Sequence, residues 1–240
     1  MNLPNKEKNC LILGGSSEIG IFLAKRLLKE KLNPIITYSS QSGLKKIKDN
    51  LNKDINVFKL DLAFLNSIYD FLSKINCKIS YLVDLSHTHV EKLFASLKDE
   101  EIVSYYTTNV INRAIFLKNI VRNMLIQKQG RLVYISSTAA YLPNKGQGIY
   151  SSSKLAVEAI YKIIGIEMYK KGISTVILRP GYISAGRAKN FIDKKKSIFP
   201  YLLDVTDVVD AILFFLKDNG RVFNAREITL DRGFFAKKDF

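Results

Sequence analysis

The sequence has no tryptophan, and only two cysteines and two histidines occur among its 240 residues. Two cysteines cannot build the disulfide framework that stabilises small secreted domains. Cys10 and Cys77 both lie beside apolar runs, so we interpret them as small buried residues and expect a cytoplasmic protein. His87 and His89 have no further ligand-type residues around them, so no metal site is predicted.

Long apolar segments are also missing. No run reaches the roughly 18 residues that cross a bilayer, so no membrane span is expected. The segment Met1–Lys8 lacks the apolar core of a secretion signal. Repeats, low-complexity stretches and long linkers are absent, so 240 residues favour one domain, 1–240.

Acidic residues are few: 22 stand against 37 basic ones, which gives a net charge of +15. A generally lysine-rich composition is one explanation, and an acidic partner or anionic ligand is the other. The basic residues are scattered, with Lys194–Lys196 the one tight cluster. Because no nucleic-acid motif accompanies them, nucleic-acid binding is not expected.

Short apolar runs alternate with longer helical patterns along the chain. The predicted strands are Cys10–Leu13, Pro34–Tyr38, Ile55–Leu60, Tyr81–Leu85, Arg131–Ser136, Ser174–Leu178 and Glu227–Leu230. The predicted helices are Ile21–Lys31, Leu44–Leu51, Ser67–Lys74, Lys98–Met124 (as one helix or two), Ser151–Tyr169 and Val205–Asp218. This alternation predicts an α/β fold: a doubly wound parallel sheet of about seven strands with helices on both faces.

The first predicted strand runs directly into a glycine-containing turn, Gly14–Gly20, and then into an amphipathic stretch. Glycine lets a backbone approach a pyrophosphate, and a helix N-terminus offers free N–H groups and a positive dipole end. A glycine pattern by itself is weak evidence, but strand, turn and helix are the context that a dinucleotide site requires.

Tyr150 and Lys154 are four residues apart in a predicted helix, so their side chains lie one turn apart on one face. A phenol beside an ammonium group has a lowered pKa, because the positive charge favours the phenolate. Such a phenol can give a proton to a carbonyl oxygen or take one from an alcohol. Ser137, 13 residues before Tyr150, can hydrogen-bond the same oxygen. Together they predict a site that interconverts a ketone and an alcohol, if a cofactor supplies hydride.

These features resemble the short-chain dehydrogenase/reductase family, over a stretch from about Lys8 to about Phe235. Within the family, the chain looks most similar to the 3-oxoacyl-[acyl-carrier-protein] reductases, through Gly130–Ser137 and Gly146–Lys154. The resemblance implies a Rossmann-like domain that binds NAD(P).

The resemblance also implies a catalytic set of Asn109, Ser137, Tyr150 and Lys154. Lys154 would hold the nicotinamide ribose, and Asn109 would hold a water in a proton relay. The cofactor contacts it implies are Gly14, Ser16, Ser17, Ile19, Gly20, Ser39, Ser40, Asp61, Leu62, Tyr150, Lys154, Pro180, Gly181 and Ile183. Asp61 would bind adenine, cap the following helix, or do both. Relatives have a threonine at the position of Ala185, so one phosphate or amide contact would be either missing or made by Ser184.

The choice of cofactor depends on the residues after the second strand. Tyr38–Ser42 contains no carboxylate, and the first one after it is Asp49. A carboxylate would repel a 2′-phosphate, whereas hydroxyl and amide groups accept one, and Lys45 and Lys46 add positive charge. We therefore expect NADP in preference to NAD, although the arginine usual in NADP-binding relatives is absent.

Two departures from the family pattern stand out. Glu18 takes the place of the middle glycine of the turn, which suits the helix dipole but puts a carboxylate near the pyrophosphate. We expect its side chain to point away from the pyrophosphate, and a reduced affinity for the cofactor stays open. Asp84–His87 takes the place of the family's Asn-Asn-Ala-Gly. We expect Asp84 to act as an acceptor only, and the histidines to line the loop or the pocket.

The segment 186–200 falls where the family has a substrate lid, and it is basic. Lys128 and Lys171 fall where carrier-protein reductases have basic docking residues, so we expect a 3-oxoacyl thioester on an acidic acyl carrier protein. Alternatives are another ketone or secondary alcohol (polyketide, sugar, steroid-like or CoA thioester), or a cofactor-binding homologue with little turnover.

The resemblance further implies a homodimer or homotetramer that pairs through the long helices Lys98–Met124 and Ser151–Tyr169. The apolar residues expected on the pairing faces are Ile115, Leu117, Val121, Leu155, Ile160 and Ile163.

Overall fold

The computed structural model describes residues 8–51, 55–185 and 201–235. Its strands are β1 (Asn9–Leu13), β2 (Asn33–Tyr38), β3 (Asn56–Lys59), β4 (Ile79–Asp84), β5 (Gly130–Ile135), β6 (Ile173–Pro180) and β7 (Arg226–Leu230). Its helices are α1 (Glu18–Lys29), α2 (Gln41–Asn50), α3 (Leu65–Lys74), α4 (Asp99–Tyr106), α5 (Asn112–Gln127), α6 (Gly148–Met168) and α7 (Val205–Leu216).

The strands form one parallel sheet in the order β3-β2-β1-β4-β5-β6-β7. The order reverses between β1 and β4, so the chain winds outward in both directions from the centre. Ligands of such sheets bind at the carboxyl ends of the strands, next to this reversal. The prediction of a doubly wound parallel sheet is confirmed.

Alternate residues of each strand point to opposite faces of the sheet, and both faces are covered. In β1, Cys10 and Ile12 join the core beneath α1, α2 and α7, whereas Leu11 and Leu13 join the core beneath α3, α5 and α6. Burial on both faces explains why the strands read as continuous apolar runs rather than as alternating patterns.

The predicted strands and helices are all present, with ends that differ by a few residues. The largest difference is in 98–124, where α4 and α5 are joined by a five-residue π-helical turn, Thr107–Ile111. No apolar spacing distinguishes a π turn from an α-helix, so its position could not be predicted. Asn109 lies at the centre of this turn.

The predicted pairing faces of the long helices need a correction. Leu117 and Val121 are buried in the core of their own chain and cannot face a partner. Ile115 and Ile160 are half-buried, whereas Leu155 and Ile163 are exposed. The oligomeric state stays a prediction.

Cys10 and Cys77 are unpaired, as expected, and burial raises the pKa of both thiols. Among the residues that the structure describes, no helix is both long and apolar enough to cross a membrane. The predicted lid at 186–200, with Lys194–Lys196, lies outside the described residues.

Candidate active site

A cleft of about 1360 Å³ opens at the carboxyl ends of the strands, where the strand order reverses. Its walls come from the turns after β1, β2, β4 and β6 and from the first residues of α7. The lining residues are Gly14, Ser16, Ser17, Glu18, Ile21, Phe22, Lys25, Ser39, Lys46, Asn50, Leu85, Ser86, His87, Ser184, Asp204, Val205 and Thr206.

The glycine turn after β1 is held in place by Thr37 of β2. The Thr37 hydroxyl accepts a hydrogen bond from Gly14 N (3.1 Å) and donates one to Ile12 O (3.1 Å). The backbone carbonyl of Thr37 accepts from Gly15 N (3.0 Å). Gly14 has a positive φ of 77°, and a Cβ there would lie 3.0 Å from Ser86. A Cβ on Gly20 would lie 2.6 Å from Gly15. Only glycine fits these two positions, so the turn packs closely against both α1 and the loop after β4.

The start of α1 presents both a cap and a negative charge to the cleft. The Ser17 hydroxyl accepts from Gly20 N (3.1 Å) and caps the helix. Glu18 is the first residue of α1; it is exposed and lines the cleft. Glu18 therefore contributes to the wall of the cleft, and the direction of its side chain relative to a bound pyrophosphate stays a prediction.

At the end of the cleft formed by β2 and α2, Ser39 lines the wall with Lys46 and Asn50. Ser40 instead caps α2, accepting from Gly43 N (3.2 Å). Lys45 is exposed and is not part of the lining. Lys25 of α1 completes the basic wall, a contribution that sequence reasoning missed because a lysine in an amphipathic helix is usually a surface residue.

Tyr150 and Lys154 share one face of α6, as their spacing predicts. The Lys154 ammonium lies 5.8 Å from the centre of the Tyr150 ring and 4.9 Å from that of Tyr134, and it donates to Ile135 O (2.8 Å). Burial, and then the positive charge of Arg113, lower the pKa of Lys154 to about 7. The lysine is therefore a cation held beside the phenol ring and close to losing its proton near neutral pH.

Ser137 follows β5 and begins the short helical turn Thr138–Ala140, which packs against α6. It is half-buried, and its Oγ accepts from Ala139 N (3.1 Å). Its neighbour Ser136 is buried and donates its hydroxyl hydrogen to Glu158 (2.5 Å). Of these two serines, Ser137 is thus the one whose hydroxyl hydrogen can turn toward a substrate.

Asn109 is buried in the π turn, and its side chain binds protein groups. Its Oδ1 accepts from Thr88 N (3.0 Å), and its Nδ2 donates to Tyr105 O (2.9 Å) and to the Thr88 hydroxyl. Its backbone carbonyl accepts from Arg113 Nε (2.9 Å). The side chain therefore fixes the loop after β4 to the turn, and the water-holding role stays a prediction.

The two histidines pack on the Tyr150 ring. The ring centres of His87 and His89 lie 5.4 Å and 5.1 Å from that of Tyr150, both nearly perpendicular to it. His87 also lines the cleft, and burial lowers its pKa far below the ordinary value, so it is neutral. The lining does not include Ser137, Tyr150 or Lys154, so His87 is the observed link between them and the cleft. No cluster of three metal-ligating side chains occurs within residues 8–51, 55–185 and 201–235.

The other predicted cofactor contacts lie around the cleft rather than on its described lining. Asp61 Oδ1 accepts from Ala63 N (2.9 Å), a local turn contact, and Leu62 O accepts from Asn112 Nδ2 (2.7 Å). After β6, Gly181 N donates to Leu230 O (2.8 Å), and Ile183 bridges to Leu203. Ser184 reaches the lining, but its hydroxyl binds Asp204 (2.9 Å).

Comparisons with known proteins agree with this geometry. The sequence profile of the short chain dehydrogenase family matches residues 8–196. The chain belongs to this family. It is 28% identical to the 3-oxoacyl-[acyl-carrier-protein] reductase FabG of Buchnera aphidicola (subsp. Acyrthosiphon pisum), over 95% of this chain and 97% of that protein. It is 24% identical to the human 3-oxoacyl-[acyl-carrier-protein] reductase, over 88% and 92% of the two chains.

Solved structures share the fold. The structure described as ElxO with NADP bound has a TM-score of 0.85 and 23% identity, covering 96% of this chain and all of that one. A short chain dehydrogenase/reductase family protein has a TM-score of 0.86 and 18% identity, covering 98% and 100%.

The residues present fit the nicotinamide dinucleotide of this oxidoreductase family. Gly14 and Gly20 let the turn pack closely on the loop after β4 and on itself, so that Ser16, Ser17 and the first residue of α1 line the cleft. A helix N-terminus has free N–H groups that can bind an anionic group. Two acidic residues, Glu18 and Asp204, belong to the described lining, and the charge of Glu18 at the start of α1 would oppose an anionic group there.

Proposed function

We propose that this oxidoreductase is an NADP-dependent ketoreductase that converts a 3-oxoacyl thioester on acyl carrier protein to the 3-hydroxy product. The observation that carries the proposal is the buried Lys154 ammonium above the ring of the half-buried Tyr150, next to the cleft. The names of the curated relatives, which include 3-oxoacyl-[acyl-carrier-protein] reductases, support the choice of substrate.

Reduction of a ketone needs one hydride on carbon and one proton on oxygen. When bound, the reduced nicotinamide supplies the hydride. Tyr150 donates its phenolic proton to the carbonyl oxygen as the oxygen gains charge, and Ser137 donates a hydrogen bond to that oxygen. The Lys154 cation stabilises the phenolate that remains, and Asn109 fixes the loop whose histidines pack on the Tyr150 ring.

The preference for NADP is supported by the basic wall near β2. Ser39, Lys46 and Lys25 offer a hydroxyl and two positive charges, and no carboxylate from α2 lines this part of the cleft. A 2′-phosphate gains from these groups and meets no like charge there. The likeness to a fold that was solved with NADP bound agrees with this.

The proposed partner is an acidic carrier protein, which suits the net charge of +15. Lys128 and Lys171 come just before β5 and β6, at the edge of the sheet opposite the cleft, where Gly172 packs against the Lys128 carbonyl. Their docking role, the lid at 186–200, the homodimer or homotetramer and the cytoplasmic location stay predictions.

The test is a cofactor and substrate panel that follows NADPH oxidation at 340 nm. Acetoacetyl thioesters of acyl carrier protein, of CoA and of N-acetylcysteamine are compared with sugar and steroid-like ketones. We expect the carrier-protein thioester to give the highest kcat/KM, with NADPH at least about tenfold better than NADH. No turnover of any thioester would contradict the assignment.

A second candidate is a cofactor-binding homologue with little turnover, which Glu18 favours because it opposes an anion in the cleft. A thermal-shift panel separates the two candidates. Stabilisation by NADPH without turnover of any ketone in the panel would support the second.

A further inference from the structure

A buried ion pair lies directly behind the catalytic lysine. Asp84, the last residue of β4, and Arg113, in the first turn of α5, both have fully buried side chains, and Arg113 Nη1 contacts both carboxylate oxygens. A buried ion pair of this kind contributes little net stability to the fold, because the cost of removing both charges from water offsets their attraction. Its placement therefore calls for a functional explanation.

Arg113 connects three parts of the site. Its Nε donates to Asn109 O (2.9 Å) in the π turn, and its Nη2 donates to Ser86 O in the loop that carries His87. Its guanidinium carbon lies 5.9 Å from the centre of the Tyr134 ring, on which Lys154 also lies. One side chain thus fixes the turn, the loop and the surface that supports the lysine.

Asp84 completes the connection to α6. Its Oδ2 accepts from the Tyr161 hydroxyl (3.0 Å), and its Oδ1 accepts from Ser86 N (3.2 Å). The Tyr161 ring stacks on that of Tyr134 at 4.9 Å, with 18° between the planes. The hydrogen bond to Tyr161 therefore joins the pair to α6, the helix that carries Tyr150 and Lys154, and the ring stack joins Tyr161 to Tyr134 of β5.

Resting on the proposed function, we propose that Asp84 and Arg113 are positioning residues for Tyr150 and Lys154, and that their opposite charges set the alkaline limit of activity. Lys154 must carry its proton to favour the phenolate. A negative charge at Asp84 helps it keep that proton, and a positive charge at Arg113 opposes this.

Other ionisable groups face Lys154 from the elements packed around it, but each is neutral or already paired. The charges of Asp84 and Arg113 are therefore the ones that set how firmly Lys154 holds its proton. Glu158 of α6 is bound by Arg179 and by Ser136, His87 is neutral, and Tyr134 holds its proton because burial raises its pKa well above the ordinary value. Tyr150 also faces Lys154, with its ring centre 5.8 Å from the ammonium.

The test compares three variants by the pH profile of kcat/KM. Asp84→Asn keeps the size of the side chain and one acceptor oxygen, and we expect it to move the alkaline limit down by roughly one pH unit. The double variant Asp84→Asn/Arg113→Gln also lacks the positive charge that Asp84→Asn leaves unpaired. Its alkaline limit should return to the wild-type value or rise above it.

The matched control is Asp210→Asn, which removes one negative charge from the exposed Arg26–Asp210 pair (2.8 Å) between α1 and α7, on the other face of the sheet. It should leave the limit unchanged. If Asp84→Asn shows the same alkaline limit as the wild type, the proposal is wrong, even where kcat or Tm has fallen. It is also wrong if Asp210→Asn shifts the limit as much as Asp84→Asn does.

A second readout does not depend on turnover. The ¹³Cε signal of Lys154, assigned by its loss in Lys154→Arg, is titrated by NMR in the same proteins. We expect its midpoint to fall in Asp84→Asn and to recover in the double variant. A wild type that reduces no ketone would overturn the proposed function, while an unmoved midpoint would overturn this inference.

Discussion

At the scale of single residues, the main feature is a lysine that is buried without a carboxylate in contact. The Lys154 ammonium binds one backbone carbonyl and lies over two aromatic rings, and the charges of Arg113, Asp84 and Glu158 act on it from a distance. Burying a cation in this way costs folding free energy, and that cost depends on whether the proton is bound.

The pH dependence of stability tests this burial. The folded pKa of Lys154 is about 7, against 10.5 for an exposed lysine, so between these values the unfolded chain binds a proton that the folded chain lacks. This contribution therefore makes the free energy of unfolding rise with pH over that window. Relative to Lys154→Met, the wild type should gain about 1–3 kcal/mol between pH 7 and pH 10 in urea unfolding.

The control for this comparison is Lys29→Met, which changes an exposed lysine of α1. Its difference from the wild type should stay constant over the same range. A constant difference for Lys154→Met as well would show that the lysine is not desolvated in the folded protein.

Sequence alone predicted which residues form the candidate site but not what surrounds them. The spacing of Tyr150 and Lys154 predicts a shared helix face, because a helix repeats every 3.6 residues. Arg113 was missed, because a single arginine in an amphipathic helix is usually a surface residue, and only the fold shows that Asp84 meets it.

At the scale of elements, the N-terminus of α1 combines two opposing effects. Its free N–H groups and dipole attract an anion, whereas Glu18 repels one. The strands and this helix were predictable, because each has a strong apolar pattern and the turn has its glycines. The π turn around Asn109 was not, because its two flanking helices share one continuous pattern.

Removing the charge of Glu18 should strengthen cofactor binding. Glu18→Gln keeps the size of the side chain, and we expect the Kd for NADPH to fall roughly fivefold, about 1 kcal/mol, in fluorescence titration at low salt. Glu30→Gln, at the far end of α1, is the matched control and should leave the Kd unchanged. An unchanged or weaker affinity in Glu18→Gln would show that the carboxylate does not face the bound phosphates.

At the scale of the whole molecule, the net charge of +15 is not gathered at the described lining of the cleft, where Lys25 and Lys46 are balanced by Glu18 and Asp204. A field of this kind acts on a large acidic partner more than on a small neutral ligand, and salt screens it over about 10 Å. The net positive charge of the chain would therefore attract the proposed carrier protein rather than the acyl group that it carries.

Salt should separate the two contributions. Between 50 and 300 mM NaCl, we expect KM for the carrier-protein thioester to rise roughly threefold or more. KM for the neutral N-acetylcysteamine thioester should change little over the same range. If KM depends equally on salt for both substrates, the positive charge does not recognise an acidic carrier protein. The net charge would then reflect a generally lysine-rich composition.

The central claim is that Tyr150 delivers a proton while hydride reaches the same carbonyl group, and isotope transfer tests it most directly. NADPH carrying deuterium at C4 of the nicotinamide is incubated with acetoacetyl-carrier protein, and the product is examined by mass spectrometry. We expect deuterium at C3 of the 3-hydroxy product with the wild type, and at least about 10²-fold less product with Tyr150→Phe at unchanged NADPH affinity. Equal deuterium transfer by Tyr150→Phe would contradict the account.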